Sequence, residues 1–350
     1  MISVELLHQH AIGSSKRILE FQLKLRNKLC YIVDQNTFDS RLLKFKINDD
    51  FKRNILPASK FKKWKANQFM QYFFYVAPLC LKSLINQAAY NHYFLLVFII
   101  SKLFNAGLSD NDLESIRSLI DNFLNDCELY YGDVLITINI HLLCHLVDNY
   151  KELGPISNHL AFFSEHLNGE MAKKISSPNL VQQQILNNSN LEFNYKLISG
   201  RSSENQFAIT TIGKSFRYEN NNECFGKIKI NDKIYSSKLS KESSNKRNRY
   251  ILTKDERCYE IQYFFKINNL IFFNCKEIRI NDKLYILYKE NRLELDHIML
   301  AKRMHNTQSF NCSFIKEKVL FQKPFRSKKD IFRNDETGYI IRTNYFKFHN

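Results

Sequence analysis

The chain has 350 residues, 44% of them apolar and 25% charged, with nine glycines and five prolines. That composition excludes disordered, collagen-like and low-complexity classes and leaves enough chain for two domains around a sizeable core. The formal net charge of +16 concentrates polyanions at the surface and points to nucleic-acid partners.

Apolar residues recur at three- and four-residue spacing over Lys16 to Val33, Phe61 to Phe74, Leu79 to Ala106, Asp110 to Tyr131, Ile140 to Lys151 and Phe162 to Ile175, which predicts helices. Ser109-Asp110-Asn111-Asp112 supplies caps for the helix beginning near Asn111, while Gly107, Gly132 and Gly154-Pro155 stop or separate helices and Ser176 to Asn179 ends the last. The apolar run Tyr93 to Ile100 is stopped by Ser101 and Lys102, too soon for a membrane span. Met1 to His10 carries no secretion signal. These features lead to the expectation of a soluble, intracellular protein with no membrane partner.

Beyond Asn187 the period changes to alternating β-branched and aromatic residues over Phe225 to Tyr235, Tyr259 to Ile267, Leu270 to Phe273, Lys276 to Tyr288 and Tyr339 to Phe346. Ile228 to Tyr235 recurs as Ile278 to Tyr285, each with a central Asn-Asp that signals a tight hairpin. Ser236 to Arg249 reads as a loop, and the Asn- and Ser-rich Leu186 to Gln206 as a boundary. The expected fold class is therefore α+β, with a mostly α-helical domain over residues 1–190 and a small antiparallel β-rich domain over 200–350. Nearly all of the positive excess lies in the second part.

Eight scattered cysteines without a Cys-x-x-Cys pair signal neither a disulfide framework nor a zinc ribbon, so most are expected to be small buried hydrophobes. His141 and His145 share a helix face with Cys144 beside them, a geometry that can bind zinc. No glutamate follows His141 and no further ligand has diagnostic spacing, so the reading is core packing and no metal. His8, His10, His92 and His166 receive the same reading. No Gly-x-Ser-x-Gly or Gly-rich phosphate loop is present, which disfavours nucleophilic hydrolases and nucleotide hydrolysis. Candidate phosphate-contacting residues are Lys62, Lys63, Lys173, Lys174, Lys246, Arg247, Arg249, Arg326, Lys328 and Lys329, with Phe61, Trp64, Tyr250, Phe325 and Phe332 interleaved for stacking.

Asn139 to Lys174 orders its parts as Asn-Ile-His-Leu-Leu, then Gly154-Pro155, then Phe163-Ser164-Glu165-His166-Leu167-Asn168-Gly169. This order resembles the catalytic end of cut-and-paste DNA transposases of the CACTA (En/Spm) group. The likeness extends to Lys60 to Val76 with its tryptophan and aromatic run, to Tyr90-Asn91-His92-Tyr93-Phe94, and to Tyr130-Tyr131-Gly132, and so covers about residues 1–185. It implies an RNase H-like core in which three carboxylates hold two divalent cations.

In that likeness Glu5, in Glu5-Leu6-Leu7-His8 ahead of Gly13 and Lys16-Arg17, stands where the family has its second Asp, and Glu165 matches the third carboxylate. The first Asp would lie upstream of Met1. The resemblance thus implies a nuclear, DNA-associated protein, domesticated or truncated, with Glu5 and Glu165 as vestigial catalytic positions. No cofactor is expected, magnesium or manganese belonging only to a complete site. A second reading is a helical protein–protein interaction or scaffold module without DNA chemistry, whose Phe69 to Phe104 region buries a partner or a second copy. Neither reading has a small-molecule substrate.

Overall fold

The computed structural model describes residues 6–45, 51, 53–200, 209–218, 222–231, 233–240, 248–268, 270–322 and 337–342. Helices occupy the described stretch up to residue 200, and strands follow, with a short 3-10 turn at Cys312–Phe314. The fold is mixed α+β with antiparallel sheets.

A π-type turn, Leu6–Ser15, leads into α1 (Lys16–Lys24). α2 (Gln35–Lys44) is absent from the helical periodicity, yet Asp34 caps it by accepting from the Thr37 amide at 2.8 Å. A 3-10 turn, Ala58–Lys63, precedes α3 (Ala66–Gln71), a second π-type turn at Tyr72–Val76, and α4 (Ala77–Cys80). α5 (Gln87–Phe104) is buried on nearly every side, as a helix without a polar face must be.

α6 (Asp110–Tyr131) opens on a capping box between Ser109 and Asp112 and stops at Gly132, whose φ is +90°. It turns Leu113, Ile116, Ile120, Phe123, Cys127 and Tyr131 inward. α7 (Ile138–His141), a 3-10 turn at Leu142–His145, and α8 (Leu146–Leu153) follow, with α8 ending at Gly154. α9 (Ala161–Lys173) and α10 (Val181–Gly200) complete the helices. No helix among the described residues is long and apolar enough to cross a membrane.

α10 runs through the stretch expected to be a boundary. Its apolar residues form no stripe, and polar contacts hold it instead: the Gln184 carboxamide accepts from the Ser176 amide at 2.7 Å, and Lys174 pairs with Glu192 at 3.0 Å.

The smaller sheet orders β1 (Ile209–Ile212), β4 (Lys227–Ile230) and β5 (Lys233–Ser236) as β1-β4-β5. The larger contains β6 (Tyr250–Thr253), β7 (Cys258–Ile267), β8 (Leu270–Tyr288), β9 (Asn291–Asn311), β10 (Ile315–Lys318), β11 (Leu320–Gln322) and β12 (Thr337–Ile341) in the order β10-β6-β7-β8-β9-β12-β11. β2 (Phe216–Tyr218) pairs with β3 (Asn222–Phe225), which joins β7.

The first Ile-Asn-Asp-Lys copy forms the expected hairpin, with Ile230 opposite Lys233. The second does not turn. It runs straight through β8 with a bulge between Ile280 and Asp282, and the chain reverses instead at Lys289 and Glu290, with φ of 45° and 66°. Two consecutive positive values are what a type I′ hairpin turn requires.

The far half of that long hairpin reaches back to the helices. Leu284, Ile286, Leu293, Leu295 and Ile298 belong to the same buried cluster as α5 and the Tyr72–Val76 turn. His297 donates from Nε2 to the Phe74 carbonyl at 2.8 Å, and Asp296 meets Lys102 of α5 at 2.7 Å and Lys283 at 2.6 Å. Helices and sheet therefore share one interior.

Candidate functional site

Segments far apart in sequence meet around the Leu6–Ser15 turn, which packs against both α7 and α9. Gly13 sits so close to α7 that a Cβ on it would lie 2.8 Å from Cγ and Nδ2 of Asn139. The glycine of the first motif thus makes room for the asparagine that opens the second. Glu5 lies outside the described residues, and Glu165 is on α9 with its side chain undescribed, as is that of His166. No metal-dependent step is assigned to either carboxylate.

Gly13→Ala is expected to cost about 1–3 kcal/mol through overpacking, offset by up to about 1 kcal/mol from better helix propensity. Adding Asn139→Ala should recover most of the loss in urea midpoints. An equal loss with and without the Asn139 side chain would mean that this contact is not the reason for the glycine.

Lys62 and Lys63 are exposed at the end of the Ala58–Lys63 turn. The aromatics between the basic residues are not surface platforms. Phe61 and Trp64 are buried, Trp64 against Phe69 and Tyr72 with ring centroids 5.4 and 5.5 Å away, and Tyr250 is buried too. Core packing claims these rings, because a large apolar face beside a lysine aliphatic stem gains more from burial than from water. Phe325 and Phe332 lie outside the described residues.

Several candidate cations are met by carboxylates of the chain itself. Lys173 pairs with Glu170 at 2.5 Å and Lys174 with Glu192. Arg249 pairs at 2.9 Å with buried Glu260 and donates to the Tyr250 hydroxyl at 2.8 Å, and Arg303 donates to the same hydroxyl. Buried carboxylates need such partners, so Arg249 is committed to the interior. Lys246, Arg247, Arg326, Lys328 and Lys329 lie outside the described residues.

Register reveals a basic pair that the linear sequence hides. Arg279 of β8 and Lys302 of β9 are direct cross-strand neighbours, both exposed. Like charges so placed repel each other. Nothing local marks them, since their adjacency depends on the β8–β9 pairing.

His10 and His92 are core residues as expected. His141 is not: it is exposed, and His145 only half-buried, because Leu142, Leu143, Leu146 and Val147 turn the other face of this segment inward. The aromatic stretch Phe69 to Phe104, which the scaffold reading offers to a partner, is largely buried within the chain's own core. A shallow groove of about 380 Å³ lies between the sheets, with Glu223 and Lys266 among apolar and threonine side chains.

No family model matches the chain, and no curated protein or solved structure matches it either.

Proposed function

We propose that this is a transposase-derived, DNA-associated protein whose helical part corresponds to the later portion of a CACTA-type RNase H-like region with its helical insertion. The observation that carries the reading is the meeting of the Leu6–Ser15 turn, α7 and α9, with Gly13 fitted against Asn139. A two-cation phosphoryl-transfer site needs its ligands brought together from separate segments, and the turn that follows Glu5 in sequence packs against the helix that carries Glu165. The charge of +16 supports contact with a polyanion. Exposed lysines such as Lys62 and Lys63 bind phosphate as point charges without reading base sequence.

Filter binding to a short DNA duplex tests this. If about three phosphates are neutralised, affinity falls roughly 40-fold between 50 and 200 mM salt. Replacing Lys62 and Lys63 together by Gln should lower the salt slope by about two. Binding without salt dependence, or no binding at low salt, would sink the proposal. The 350-residue polypeptide carries two of the three carboxylate positions that the resemblance implies, so supercoiled plasmid with magnesium or manganese should stay intact. Nicking that disappears with Glu165→Gln would instead reveal a working nuclease.

A further inference from the structure

The surface face of the α7–α8 segment has donor chemistry that the DNA reading leaves unused. Its inward residues are Leu142, Leu143, Leu146 and Val147, all buried. His141, Cys144, His145 and Asp148 form the opposite stripe at spacings of three, four and seven, which share one side of a helix. Between His141 and His145 the backbone winds as a 3-10 turn, a geometry that eclipses residues three apart and so stacks Cys144 over His141.

A nitrogen from each histidine and the Cys144 sulfur all lie within 4.8 Å of one another. The two rings stand 5.8 Å apart and nearly perpendicular, at 86°. Tetrahedral zinc, with bonds of about 2.0–2.1 Å to nitrogen and about 2.3 Å to sulfur, needs donors about 3.3–3.6 Å apart. The difference of about 1.2–1.5 Å is of the size that a change of side-chain torsion spans.

Cys144 is also set apart from its fellows. Of the eight cysteines the other seven are buried, whereas Cys144 is half-exposed beside two imidazoles. Asp148 continues the stripe and is held by Arg117 at 2.6 Å. Asp121 and Asp148 lie near enough to Cys144 to act on its charge, and Asp148 is near enough to feel His145.

We propose that His141, Cys144 and His145 form a three-ligand site for a zinc-class divalent metal, with the fourth coordination position facing solvent. Two imidazoles and one thiolate suit zinc and its cobalt substitute, and exclude the oxygen-seeking magnesium and calcium. Binding is independent of DNA and of Glu5 and Glu165.

The test titrates cobalt(II) into the metal-stripped 350-residue protein. One equivalent is expected to give the intense visible bands of four-coordinate cobalt together with a thiolate-to-cobalt charge-transfer band, both abolished by one equivalent of zinc. Cys144→Ser should erase the charge-transfer band. His141→Ala, at an exposed position that leaves the fold intact, should weaken binding at least tenfold. Absence of the four-coordinate spectrum at stoichiometric cobalt would overturn the proposal. So would a charge-transfer band that survives in Cys144→Ser, or unchanged affinity in His141→Ala.

Discussion

Lowering the pH from about 7.5 to about 5 is expected to remove roughly 6 kcal/mol of folding stability, about 2 kcal/mol from each of three buried histidines. Burial in apolar surroundings lowers His10 to about 3, and His92 and His297 to about 4. Their ordinary value is 6.5. Nε2 of His92 and of His297 each faces a backbone carbonyl, of Phe123 at 2.9 Å and of Phe74 at 2.8 Å. A carbonyl only accepts, so Nε2 carries the proton in the neutral ring. In His92 the other nitrogen is buried without a hydrogen-bond partner, and protonating it would strand a charged N–H in the core.

The sign follows from which state binds more protons. Below pH 6.5 the unfolded chain protonates its histidines while the folded chain does not, so this stability is complete above 6.5 and is lost as the pH falls toward 4. A typical domain has about 5–15 kcal/mol in all. Acid unfolding should therefore begin near pH 5, before most carboxylates titrate. Urea midpoints at the two pH values measure the loss, and His92→Gln, which keeps a donor for the Phe123 carbonyl but cannot titrate, should flatten the pH dependence by about one third. Equal midpoints at both pH values would show that these rings do not carry it.

His10 and His92 were legible as core residues by default, because neither stands in a ligand-like spacing. His297 was not, and the reason is the strand that carries it. His297 continues the inward alternation of Leu293 and Leu295, but the period is lost just after it at Ile298 and Met299, where residues bulge between the Leu284–Leu295 and Lys283–Met299 pairs, and the segment does not read as a strand in the sequence. A register shift scrambles the period of two on which strand reading depends.

The two Ile-Asn-Asp-Lys copies teach the same lesson. One turns and the other passes straight through, because β9 is present to pair along the whole of β8. Local chemistry specified the start of α6 at Ser109 and its stop at Gly132, since caps act within one helical turn. The meeting of Gly13 with Asn139, and of Arg279 with Lys302, depends on long-range pairing that no window of sequence contains.

Leu295→Ala offers the second large effect, an expected loss of about 2–5 kcal/mol from the transferred side chain and the cavity it leaves. Leu295 lies in β9 with no exposed surface and belongs to the cluster that includes α5 and the Tyr72–Val76 turn. The only tryptophan, Trp64, lies far from it in sequence and rests on Phe69 and Tyr72. Its fluorescence therefore reports the helical part while the substitution is made in the sheet. If the shared interior makes one cooperative unit, as small connected cores usually do, the Trp64 midpoint in urea should fall together with the loss of sheet signal in circular dichroism. An unchanged Trp64 midpoint would mean that the helices hold themselves and that the long hairpin only rests against them. A full shift would mean that the long hairpin and the helices that carry the motif cluster around Gly13 stand or fall together.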